Sequence, residues 1–67
     1  MERDQIINCA KLLNAEEFIS ILHIENVSFD ILDQDDLMDV NNGNCNIEVE
    51  GLQEGEALLF FNGRLAR

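Results

Sequence analysis

Sixty-seven residues, 46% of them hydrophobic, allow one domain spanning residues 1–67 and are too apolar for a disordered acidic tail. Fourteen acidic residues against four basic ones give a net charge of −10, which argues against direct binding to nucleic acid or an anionic membrane and for attraction to something basic. With no Pro, Trp or Tyr, the core must rest on Leu, Ile, Val and four Phe, and a core that small would gain from a homodimer.

Along the chain, Ile6, Ile7, Ala10 and Leu13 recur at helical spacing, with Asp4, Gln5, Asn8 and Lys11 on the other side. Asn14 then suits a helix N-cap. Glu17 stands at the capping-box position, and Leu13 and Phe18 occupy the two places of a hydrophobic staple. Phe18, Ile19 and Leu22 continue as a second apolar face. The pattern fits two short helices with a bend at Asn14 or one longer helix, and the cap features favour two. His23 falls near the end of this stretch, where it suits the helix dipole.

The periodicity changes around residue 26. Residues 27–31 (VSFDI) alternate apolar and polar as a half-buried strand does. Residues 33–39 (DQDDLMD) form an acidic connection, and residues 41–44 (NNGN) signal a turn. Residues 45–50 (CNIEVE) alternate again, residues 51–55 (GLQEG) close a hairpin loop, and residues 56–61 (EALLFF) make a third strand before the Asn62-Gly63 turn. The predicted class is α+β: two short N-terminal helices packed on a three-stranded antiparallel sheet, with Phe18, Leu22, Phe29, Ile31, Ile47 and Val49 in one core. On the third strand Leu58 and Phe60 point one way, and Leu59 and Phe61 the other. One pair enters the core, and the other needs a second cover from an intramolecular loop, a second subunit or a partner. Leu59 and Phe61 are the candidate hydrophobic interface.

Catalysis and metal binding find little support. Counted from Asp33, a calcium loop needs Gly sixth and Glu twelfth, where this chain has Met38 and Asn44. Cys9, His23 and Cys45 are too scattered for a zinc site, and both cysteines read as buried thiols. Ser20 and Ser28 sit in no nucleophile motif, and Gly43, Gly51, Gly55 and Gly63 are turn residues, not a phosphate loop. The expectation is no enzyme, no cofactor and no metal. The opening MERDQIINCA contains acids and no apolar run of signal-peptide length, and no stretch reaches the ~20 apolar residues of a membrane span, so the cytoplasm is the expected compartment.

What remains is the placement of charge. From Leu12 to Gly63 there is no Lys or Arg, while twelve of the fourteen carboxylates fall there. Asp30 lies on the polar face of the first predicted strand, and Glu48 and Glu50 on that of the second. Asp33, Asp35, Asp36 and Asp39 crowd the connection between them. Alternate strand residues stand ~6.6 Å apart, a spacing able to imitate a row of nucleic-acid phosphates.

In size, net charge and the acid-rich segments 30–39 and 48–56, the chain resembles small acidic phage-encoded inhibitors that act as DNA mimics. The resemblance implies occupation of the DNA-binding surface of a basic host protein, such as a histone-like nucleoid protein, in the bacterial cytoplasm. Asp30, Asp33, Asp35, Asp36, Asp39, Glu48 and Glu50 would be the partner-binding residues. The rival reading is an antitoxin-like or adaptor module that binds through the exposed hydrophobic strand.

Overall fold

A computed structural model describes residues 1–32, 40 and 43–66. Among these residues the order is α1 (Arg3–Leu12), α2 (Ala15–Ile24), β1 (Phe29–Leu32), β2 (Cys45–Val49), β3 (Ala57–Phe61) and β4 (Arg64–Leu65). The four strands form one antiparallel meander in the order β1-β2-β3-β4. The fold is α+β, with the helices on one side of the sheet.

Two separate helices form because Asn14 breaks the chain into an extended conformation and caps the second helix. Its Oδ1 accepts from the Glu17 N–H at 2.8 Å, and the Glu17 side chain reaches back to the Asn14 N–H at 3.5 Å. The Ala15 N–H, otherwise an orphan of the first turn, donates to the Gly63 carbonyl at 2.7 Å. The far end of α2 closes as a Schellman motif. Asn26 takes the left-handed conformation (φ 57°), its N–H donates to the His23 carbonyl, and the Val27 N–H donates to the Leu22 carbonyl. Val27 therefore belongs to the helix cap. This is why β1 begins at Phe29, two residues later than its alternation suggested.

The sheet has four strands where the sequence pattern gave three. Asn62 and Gly63, both at positive φ (50° and 80°), make a two-residue hairpin that returns the chain along β3, pairing Phe61 with Arg64 and Phe60 with Leu65. Two residues show no alternation to read, so β4 is specified by its turn.

The core lies between the layers. Ile6, Ala10, Ala15, Phe18 and Leu22 from the helical side meet Val40, Cys45, Ile47, Val49, Leu58 and Phe60. The Phe18 and Phe60 rings pack with centroids 5.7 Å apart. Of the six residues predicted for this core, Phe18, Leu22, Ile47 and Val49 are buried, and Phe29 and Ile31 are half-buried and packed against it. They stand on β1, an edge strand with a neighbour on one side.

Gly51 shows how closely α1 approaches the β2–β3 loop. It holds φ +97°, and a Cβ there would lie 3.2 Å from Cδ1 of the fully buried Ile6. Gly55, at φ +76°, has open space around it. Gly51→Ala is therefore expected to destabilise by about 1–3 kcal/mol, and by more than Gly55→Ala, in urea unfolding. Equal midpoints for the two variants would contradict this packing.

Candidate docking face

One face of the sheet carries the helices, and among the described residues no helix or strand covers the other. Strand alternation sorts the side chains: Phe29, Ile31, Cys45, Ile47, Val49, Leu58 and Phe60 face the helices, while Asp30, Leu32, Asn46, Glu48, Leu59, Phe61 and Arg64 lie on the open side.

The register brings two of the predicted acids together. Asp30 stands directly opposite Glu48, and both are exposed. The Glu50 N–H donates to the Ser28 carbonyl at 2.8 Å, which makes Ser28/Glu50 and, two residues along, Asp30/Glu48 hydrogen-bonded pairs with Cα atoms about 5.5 Å apart. Like charges directly opposite one another oppose strand pairing. Glu50 continues the row on the exposed side of the chain. Asp33, Asp35, Asp36 and Asp39 lie outside the described residues, as do Asn41 and Asn42 of the turn that follows.

The next rows of the same face carry its large apolar side chains. Leu32 and Leu59 flank Asn46 in one row, and Phe61 pairs with Arg64 in the next. Leu32 is 39% exposed, Leu59 37% and Phe61 55%, while Leu58 and Phe60 on the same strand are buried. The sequence pattern separated these two pairs correctly. It misses Leu32, because the predicted strand ends at Ile31; one more step of the alternation places Leu32 beside Asp30.

The Arg3 guanidinium is bound to Glu56 at 2.9 Å, tying α1 to the chain entering β3. Arg64 is on the open face, two strands and two residue pairs away from Glu48. Strand spacings put it roughly 17 Å distant, beyond the ~8 Å screening length at physiological salt. A shallow depression of about 380 Å³ adjoins the acids, with Asp30, Glu48, Glu50 and Glu54 among its lining residues. Among the described residues, no group of three or more His, Cys, Asp or Glu is placed to hold a metal ion. No helix among them is long and apolar enough to cross a membrane.

The remaining chemically distinctive groups lie elsewhere. His23, in the last turn of α2, packs its ring edge-on to Phe29 at 5.2 Å. Both cysteines are free thiols; Cys9 is half-buried, and Cys45 lies in the core, where burial pushes its pKa up. The neutral form of Cys45 is thus favoured by folding. Its contribution to stability is complete below the ordinary thiol pKa and is lost as pH rises through the raised folded value. Cys9 is expected to react with a thiol reagent at neutral pH and Cys45 only on unfolding, with Cys45→Ala removing part of the alkaline loss of stability. Two thiols labelled at equal rates in the native protein would contradict the burial of Cys45.

Comparison of the chain with protein-family models, with curated proteins and with solved structures gives no match, so no family assignment follows.

Proposed function

We propose that the protein is a non-catalytic acidic binding protein that occupies the basic, DNA-binding surface of a partner protein and blocks it, acting as a DNA mimic. The observation that carries this reading is the facing pair Asp30 and Glu48, extended by Glu50, all exposed on the sheet face away from the helices. A fold gains nothing for its own stability from such a row. A partner presenting Lys and Arg relieves the repulsion directly. Asp33, Asp35, Asp36 and Asp39 add charge to the same stretch of sequence. A histone-like nucleoid protein is one partner of suitable chemistry.

Competition tests the reading. With a nucleoid protein immobilised, the acidic protein is expected to bind, to be displaced by duplex DNA of any sequence, and to bind more weakly as salt rises. Binding that resists both DNA and salt would favour the second reading, an adaptor module seated through apolar contacts. The exposure of Leu59 and Phe61 is the observation that supports that alternative.

A further inference from the structure

We propose that the open sheet face is a single two-part docking surface for a basic amphipathic protein segment. Asp30, Glu48 and Glu50 would receive its cations, and Leu32, Leu59 and Phe61 its apolar anchor. This rests on the binding-protein reading above and deepens it by naming the partner's chemistry.

Three observations lead here. First, the two parts are contiguous. Leu32 follows Asp30 by one pair of residues on β1, and Leu59 stands one strand and one pair from Glu48, so acidic and apolar side chains begin roughly 7–8 Å apart. A segment with Lys or Arg about one helical turn from Leu or Phe spans that separation. Second, the apolar part is built on a fixed scaffold. Phe61 is held at the mouth of the Asn62-Gly63 hairpin in register with Arg64, and Leu59 lies between buried Leu58 and Phe60. Third, the face has polarity. Among the described residues, Arg64 stands beside Phe61, two rows away from Asp30 and Glu48, so those two acids draw a partner's cations away from Arg64.

The same charges select among occupants. A second copy would bring another chain of net charge −10 against this one. Nucleic acid and anionic lipid are repelled by the acidic rows. A basic protein segment meets attraction at the acids and burial at Phe61. Charge would then govern encounter and orientation, and the apolar contact residence time.

The test uses the intact chain and three synthetic helical peptides carrying a fluorescent label. One has lysines in one half and leucines in the other. The second keeps the lysines and replaces the leucines with serine. The third keeps the leucines and replaces the lysines with glutamate. The first is expected to bind at least about tenfold more tightly than the second, and the third not at all. Phe61→Ser should remove that advantage while leaving the second peptide's affinity unchanged. Asp30→Asn with Glu48→Gln should weaken both lysine peptides alike. Circular dichroism of each variant confirms that it remains folded. Equal affinity for the two lysine peptides, or an advantage insensitive to Phe61→Ser, overturns the two-part surface yet leaves the acidic reading standing. Failure of both lysine peptides to bind overturns both. Sedimentation showing a dimer that Phe61→Ser dissociates would overturn the proposal in favour of a second copy.

Discussion

Replacing Phe60 with alanine is expected to abolish cooperative folding, whereas the same replacement at neighbouring Phe61 should leave the fold standing. Phe60 is fully buried, packs on Phe18 at 5.7 Å and sits in register between Cys45 and Leu65. Truncating a buried Phe costs about 3–5 kcal/mol, and a domain of this length holds only about 3–10 kcal/mol in all. Phe61 is more than half exposed on the other side of the same strand, so its truncation should cost no more than about 1 kcal/mol. Thermal melts followed by circular dichroism check the pair. A Phe60→Ala protein that melts with wild-type cooperativity would mean that the helices do not cover this face of β3.

The second large effect concerns charge. Converting Asp30, Glu48 and Glu50 to their amides removes the facing like-charge pair while keeping side-chain shape. The free protein should unfold at slightly higher urea, because the repulsion was opposed to folding. Association with a basic partner should slow by about tenfold or more at low salt, and the difference from wild type should shrink as salt rises. Neutralising Asp33, Asp35, Asp36 and Asp39 to Asn and Ser is expected to act in the same direction, since those four carboxylates fall within seven residues with no Lys or Arg among them. Variants that associate at the wild-type rate at low salt would reduce the acids to a solubilising surface and leave the apolar rows to account for binding.

Much of this arrangement is legible in the sequence because it depends on short-range rules. The Asn14–Glu17 capping box and the alternation of residues 45–50 each report a local geometry that the fold retains. The facing of Asp30 and Glu48 follows once both strands and their register are set, but register depends on how the chain returns between Leu32 and Cys45, which periodicity does not encode. The fourth strand is too short to show alternation, and only the Asn62-Gly63 turn announces it. Val27 alternates with Ser28 and Phe29 and so reads as strand, but the Schellman closure at Asn26 takes its N–H first. The same alternation puts Phe29 and Ile31 against the core, where they do pack, but it does not reveal that their strand lies at the sheet edge and leaves them half-buried. The mixed character of the open face was half visible: the acids and the Leu59/Phe61 pair were separate signals, and the sheet joins them.

Amide chemical-shift mapping tests the central claim most directly. The isotope-labelled protein would be titrated with a basic DNA-binding protein at low salt. Docking on the open sheet face predicts the largest changes at Asp30, Leu32, Glu48, Glu50, Leu59 and Phe61, reversed by added duplex DNA, with the exposed sides of α1 and α2 little affected. Changes concentrated on the helices, with the six sheet residues unmoved, would contradict it.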